Sequence, residues 1–275
     1  VEKEGVLLGG DLNIISPNDN IDSAFLAISI SNGKPHTDMA KMAQGKSVVH
    51  LHNSDLEKID LFFPSLSEQV QISTFFSNLD SLITLHQRKL DHLLLKKKSL
   101  LQKMFPKEGE KVPELRFSGF TEDWVQRKLS ELGNIVTGST PSTQVTEYYS
   151  NTGIPWVTPS DISDNVTYNT EKKLSEKGQQ VGRIVPKNTI LVTCIASIGK
   201  NTMLGVTGSF NQQINGLTPN ESKYNPYFLF TESSFWSAKM KKSAAAGMMQ
   251  IVNRTEFSKQ VTMIPSLSEQ QQIGA

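Results

Sequence analysis

The sequence lacks most of what would mark an enzyme, a membrane protein or a secreted scaffold. It has one cysteine, Cys194. A lone thiol cannot close an intramolecular disulfide and offers a zinc ion a single sulfur ligand. Neither a disulfide framework nor a Cys-based metal site can organise the chain, and a reducing cytoplasm suits it. Cys194 lies in the apolar stretch from Ile190 to Ile195 and reads as a buried structural thiol, not a nucleophile. No apolar run is long enough to span a bilayer, no charged–apolar–small leader opens the chain, and no membrane contact is expected. The first residue is Val1 rather than Met, so the 275 residues read as a piece of a longer chain. No Gly-x4-Gly-Lys-Ser/Thr loop is present, which excludes ATP hydrolysis of that type. Excess charge is missing too: 28 Lys and Arg face 27 Asp and Glu, a formal net charge of +1. Any contact with nucleic acid must therefore come from a local cluster of cations. No metal or cofactor is expected.

What the chain does have is an internal repeat. The string Pro-Ser-Leu-Ser-Glu-Gln occurs at Pro64 to Gln69 and again at Pro265 to Gln270. Gln71 and Ile72 extend the match to Gln272 and Ile273. Upstream, Ser54-Asp55-Leu56 pairs with Thr255-Glu256-Phe257, and Lys58 with Lys259. After small gaps, Leu12-Asn13 pairs with Ile214-Asn215, Ser16-Pro17-Asn18-Asp19 with Thr218-Pro219-Asn220-Glu221, and Phe25-Leu26 with Phe228-Leu229. The period is far too long for a solenoid. It describes two tandem modules, of which the first is present as its back half.

Between the modules lies a helix. Ser65-Leu66-Ser67-Glu68 has the form of a capping box, with Pro64 ahead of it. Ile72, Phe76, Leu79, Ile83, His86, Leu90, Leu93, Lys97, Leu100 and Met104 then recur in alternating steps of four and three, the seam of a coiled coil. His86 and Lys97 are the polar exceptions; the lysine stem can lie along the seam with its charge in water. A helix of about 40 residues is about 60 Å long. Its apolar seam, Ile72, Phe76, Leu79, Ile83, Leu90, Leu93 and Leu100, calls for a second helix. Pro, Gly and mixed charges at residues 106–119 read as a linker. The organisation expected is the back half of a first domain at 1–63, a spacer helix at 64–105, the linker, a complete second domain at 120–264, and the start of a second spacer at 265–275. In the second domain Ile190-Leu191-Val192-Thr193 reads as a buried strand after a Pro186-Lys187-Asn188 turn. Ser209 to Leu217 reads as another strand, and the two are expected to form a hairpin. Asn225-Pro226 opens a helix whose inner face is Phe228, Leu229, Trp236 and Met240, and Gly247 marks a loop. The fold class is α+β: mixed α/β domains joined by a long coiled-coil-forming helix.

Several strings, taken in order, resemble one family. They are Pro113-Glu-Leu-Arg-Phe-Ser-Gly-Phe120, the segment Trp124 to Leu129, Thr137-Gly-Ser-Thr-Pro141, Ile154-Pro-Trp-Val-Thr-Pro-Ser-Asp-Ile162, Ser197-Ile-Gly-Lys200 and Phe210-Asn-Gln212. They resemble the target-recognition domain of specificity subunits from type I restriction–modification systems. The Pro-Ser-Leu-Ser-Glu-Gln string is similar to the start of that family's spacer regions. The resemblance implies two recognition domains held apart by antiparallel spacer helices, each reading half of a bipartite double-stranded DNA target. It implies adenine-methyltransferase subunits as direct partners and a restriction subunit as an indirect one. Self-association through the spacer helix is a further expectation.

Reading DNA needs cations for phosphates and forked amide or guanidinium groups for base edges. The second domain supplies candidates in three segments expected to share one face: Ser197, Lys200 and Asn201 in a turn, Asn211 and Gln212 on the next apolar stretch, and Lys241, Lys242, Gln250, Asn253 and Arg254 around the Gly247 loop. Asn253 has a competing reading as the cap of a short helix. Gly138-Ser-Thr-Pro141 reads as a structural turn rather than a phosphate loop. Two catalytic readings fare worse. Asn225-Pro226-Tyr227-Phe228 is similar to an amino-methyltransferase loop but lacks its second proline, and a helix cap explains it. Asp161 with Glu171-Lys172-Lys173 has the residue types of a metal-dependent nuclease core, but the stretch between them reads as loop. A non-catalytic DNA reader and scaffold is expected. Its alternative is an assembly adaptor that dimerises or binds the methyltransferase through its helix without reading DNA.

Overall fold

The computed structural model describes residues 12–42, 51–163, 166–247 and 251–275. They fall into two compact units, Val1–Lys97 and Lys98–Ala275.

The first unit is helical. α1 (Ser23–Ser31) begins at Asp22, whose carboxylate accepts from the Phe25 amide at 2.8 Å, and it buries Phe25 and Leu26. α2 (Gly33–Met42) starts at a glycine with φ +64°, a backbone state that residues with a Cβ rarely adopt. α3 (Asn53–Leu56) is one turn, tied by the His52 amide to the Asp55 carboxylate at 3.2 Å. α4 (Leu66–Met104), whose residues from Lys98 on belong to the second unit, is the expected long helix, 39 residues and about 58 Å by its rise per residue. Ser65 caps it, accepting from the Glu68 amide at 3.4 Å. Along its seam Ile72 is half-buried, while Phe76, Leu79, Ile83, Leu90, Leu93 and Leu100 are exposed.

The second unit is mixed α/β. Its elements are β1 (Val125–Lys128), α5 (Leu129–Leu132), β2 (Gly133–Thr137), β3 (Tyr149–Ser150), β4 (Ile154–Val157), β5 (Val166–Thr167), β6 (Lys173–Leu174), α6 (Glu176–Val181), β7 (Ile184–Val185), β8 (Ile190–Thr193), β9 (Asn201–Leu204), β10 (Gly208–Phe210), β11 (Ile214–Pro219), α7 (Pro226–Ala245), α8 (Arg254–Lys259), β12 (Val261–Ile264) and α9 (Leu267–Ile273). One sheet runs β2-β11-β8-β9-β5, a second β3-β6-β4-β10-β7, and β1 pairs with β12 as a two-stranded ribbon. β8 is buried throughout because both its faces are covered. Ile190 and Val192 join the cluster of Trp124, Phe228 and Trp236, whereas Leu191 points to Val157, Leu204 and Phe210. α7 covers β8 and β9. Asn225 caps it, accepting from the Phe228 amide at 2.8 Å, with Pro226 in its first turn and Phe228, Leu229, Trp236 and Met240 buried as expected. That bond gives Asn225 a capping role in place of a methyltransferase loop. Phe105 stacks on Phe228 (5.6 Å) and meets Trp124 edge-on (5.8 Å).

The strand expected over Ser209 to Leu217 is two strands in two sheets, β10 and β11. Asn211 breaks it. Its side-chain oxygen accepts from the Gln213 amide at 3.0 Å, a local bond that competes with the strand ladder. β8 has β9 as its hairpin partner and pairs on its other side with β11, Thr193 opposite Ile214.

The sequence repeat returns as a repeat of hydrogen bonds. Asn20 N–H donates to Asn18 Oδ1 (3.1 Å) as Ser222 N–H does to Asn220 Oδ1 (3.2 Å). The Asp22 amide donates to Gln69 Oε1 and the Asn225 amide to Gln270 Oε1, both at 3.0 Å. Gln69 and Gln270 each donate back to the carbonyl of their own proline, Pro64 and Pro265, both at 2.9 Å. Asn13 donates to the Leu51 carbonyl (2.9 Å) as Asn215 does to that of Val252 (3.0 Å). Lys58 pairs with Asp55 (3.0 Å) as Lys259 does with Glu256 (3.1 Å). These bonds satisfy helix ends and buried amides, so the identities in the repeat are structural.

Candidate nucleic-acid interface

The C-terminal end of β8 and the N-terminal end of β11 lie side by side, and four loops gather there. The turn after β8 folds back on Thr193. The Gly199 amide donates to its carbonyl (3.0 Å) and the Lys200 amide to its Oγ1 (2.9 Å). Gly199 has φ +87°, and a Cβ there would come within 2.7 Å of the Ser237 carbonyl and 3.1 Å of Lys241 Cβ. Glycine is required because the turn rests directly on the last turns of α7, which puts Lys200 beside Lys241. The turn at 211–213 meets the same end, the Cys194 amide donating to the Gln213 carbonyl at 2.8 Å. Ile251 pairs with Ile195, and the Val252 amide donates to the Cys194 carbonyl at 2.9 Å. The fourth segment is the Gly138 turn. Its backbone crosses Phe210 and Asn211 so closely that a Cβ would sit 2.2 Å from the Asn211 carbonyl. It also brings the Thr140 hydroxyl onto Gln212 Oε1.

The expected residues divide on this frame. Lys200, Gln212, Lys241 and Lys242 are exposed, and Ser197 is half-buried in the same turn as Lys200. Among the described residues none of these three lysines is in an ion pair, whereas Lys239 pairs with Glu108 at 3.4 Å. Asn201 is a correction. It is 6% exposed on β9, and its amide donates to Ser233 Oγ beneath α7 at 2.6 Å, so it holds the helix to the sheet. Asn211 is another, since it is buried and both ends of its amide serve its own turn, Nδ2 donating to Gln213 Oε1 at 3.2 Å. Asn253 caps α8, accepting from the Glu256 amide at 2.9 Å. Arg254 departs from the expected shared face. It is exposed but lines a separate cleft of about 380 Å³ with Ser130, Gly133 and Asn134. Gly133 and Asn134 pair with Pro219 and Thr218, the far end of β11. Gln250 lies outside the described residues.

Arg183 was not among the expected residues. It is exposed, and its amide donates to Ser139 Oγ at 2.7 Å, which ties it to the turn that holds Gln212. It sits in a loop remote in sequence, and no local pattern marks it. Cys194 is buried, and burial pushes its thiol up to about 11, as suits a structural residue. Asp161 accepts from the Thr158 amide and hydroxyl (2.8 and 2.6 Å) and stabilises a turn. Among the described residues no cluster of three or more His, Cys, Asp or Glu is placed to hold a metal, and no helix is long and apolar enough to cross a membrane.

Comparison with known proteins agrees with this architecture. A family model described as the type I restriction modification DNA specificity domain matches residues 2–95 and 121–275. The MjaIX type I restriction enzyme specificity subunit of Methanocaldococcus jannaschii is 30% identical over 160 residues, 56% of this chain and 37% of that protein. The putative MjaX specificity subunit of the same organism is 23% identical over 98% of this chain and 64% of its own length. The chain thus spans less than two thirds of either relative. Among solved structures, the type I restriction–modification S subunit from M. genitalium aligns with a TM-score of 0.57 at 15% identity, covering 93% of this chain and 64% of that one. The two-part match across 2–95 and 121–275, on the mixed α/β frame and long helix described above, shows that the chain belongs to the type I restriction modification DNA specificity domain family.

Proposed function

We propose that this chain reads duplex DNA through the tip of its second unit and serves as the non-catalytic recognition and scaffolding part of a cytoplasmic type I restriction–modification complex. The observation that carries the reading is the gathering at one end of the β8–β11 pair of exposed Gln212 with Lys200, Lys241 and Lys242, three exposed lysines that form no ion pair among the described residues. The lysines suit phosphates, which fix register, and an amide suits a base edge. Arg183 belongs to the same surface. Methyltransferase subunits are the direct partners in this reading, the restriction subunit joins through them, and the α4 seam packs against another helix. The relatives carry the name specificity subunit, which names recognition and not turnover.

The test is a salt series with random duplex DNA. Each phosphate neutralised adds about 0.9 to the slope of log affinity against log salt. Lys241→Ala should flatten the slope by about one and weaken all sequences alike. Wild-type binding with no salt dependence, or none at low salt, would favour an adaptor that does not read DNA.

A further inference from the structure

Ile251 is the most exposed large aliphatic side chain among the described residues of the second unit, at 55%. Its place is fixed by its backbone. It pairs with Ile195 across an antiparallel bridge. The next residue, Val252, donates its amide to the Cys194 carbonyl at 2.9 Å, and its own carbonyl accepts from the Asn215 side chain at 3.0 Å. Strand alternation then decides the side chains. Val252 turns into the core, 1% exposed, in the cluster with Trp236 and Met240, and Ile251 turns out.

A single apolar residue on a surface is ordinary, so the neighbours decide whether this one is informative. Ile195 leads into the turn that carries Lys200, the Ser197 amide donating back to its carbonyl at 2.8 Å. Cys194, one residue earlier, donates its amide to the carbonyl of Gln213, next to Gln212, at 2.8 Å. Ile251 is thus seated on a short segment that touches the Gln212 turn and runs into the Lys200 turn, the turn that rests on Lys241. An apolar partner surface would not be met with lysines and an amide; duplex DNA would. On the groove edges of a duplex an aliphatic side chain finds one group of its own kind, the C5-methyl of thymine in the major groove. The other apolar device, a wedge driven between base steps, has to project past its own fold. Ile251 is held at the level of the sheet end by the bridge to Ile195 and the bonds of Val252.

The geometry points to Ile251 as a specificity-determining residue that reads the C5-methyl of a thymine. This rests on the DNA reading proposed above and adds to it the identity of one base.

The probe is the duplex that the full chain enriches from a randomised pool, resynthesised with deoxyuridine in place of one thymine at a time. Deoxyuridine lacks only the C5-methyl and keeps every hydrogen-bonding group of the base. At one position the change should cost about fourfold in affinity, the scale of one buried methyl-sized group. Ile251→Ala should bind the thymine duplex about fourfold or more weakly, and at that position should no longer tell thymine from deoxyuridine. Ile251→Val should keep the distinction. Neither substitution changes charge, so the salt slope should match wild type. At this exposed position the urea midpoint should match it too. An enriched duplex without thymine, or with no position sensitive to deoxyuridine, would overturn the inference and leave the DNA reading standing. So would an Ile251→Ala loss that is equal on thymine and deoxyuridine duplexes, the mark of a wedge or of packing alone. A pool from which nothing is enriched would overturn the DNA reading itself, and this inference with it.

Discussion

Glu232 should make the second unit lose stability as pH rises. It sits on the inner face of α7, where one carboxyl oxygen accepts from the Thr262 hydroxyl and the other, Oε2, is buried with no hydrogen-bond partner among the described residues. Burial pushes the carboxyl from an ordinary 4.5 up to about 8, against the smaller downward pulls of Thr262, the Lys239 charge and the Met263 backbone. Below pH 4.5 the group is protonated in both folded and unfolded chains, and its contribution is flat. Between 4.5 and about 8 the unfolded chain has released its proton while the folded one keeps it. The unfolded state is then favoured by about 1.4 kcal/mol per pH unit, or about 3 kcal/mol between pH 5 and 7. Glu232→Gln has no proton to release, and its amide oxygen can still accept from Thr262. Its absolute stability also reflects a new pair of buried donors, so the informative quantity is the pH dependence. Urea unfolding of both proteins at half-unit steps should show the difference between them shifting by about 3 kcal/mol in favour of the variant from pH 5 to 7. Parallel curves would refute the reasoning, since the carboxyl would then titrate alike in both states.

Two further expectations rest on burial. Arg116→Ala strands the Glu269 carboxylate among buried groups, and because Arg116 itself is 15% exposed some water can replace it; urea unfolding should register a loss of about 3 kcal/mol, the lower end for a broken buried pair. Cys194, with its thiol raised to about 11, should resist a disulfide reagent at pH 8 in the native chain and react at once in denaturant.

Much of the frame was legible because it rests on local chemistry. Pro-Ser-Leu-Ser-Glu-Gln carries its own cap and its own glutamine clamp, so the same string builds the same bonds twice. The α4 periodicity and the Asn225-Pro226 start act within a turn or two of helix. Most of what failed depended on long-range packing. Asn201 has the residue type of a base reader, but strand alternation turns it under α7, and only the position of Ser233 makes that visible. Arg254 follows Val252 by two residues, yet the cap at Asn253 redirects the chain toward β2 and away from the tip. Arg183 joins the site through a bond to Ser139, 44 residues away in sequence. One failure was local: Asn211 breaks a run that reads as one strand, because its side chain offers the backbone a better partner two residues on.

The most direct test of DNA reading is selection of the chain against a pool of randomised duplexes, with the recovered DNA sequenced. Wild type should enrich a short common motif. Gln212→Ala should relax that motif at one or two positions while leaving the salt dependence of binding unchanged, because in the proposed reading the amide meets a base edge and the lysines meet phosphate. A pool that remains random after repeated rounds, or a motif indifferent to Gln212, Arg183 and the three lysines together, would contradict the claim that this end of the sheet reads sequence.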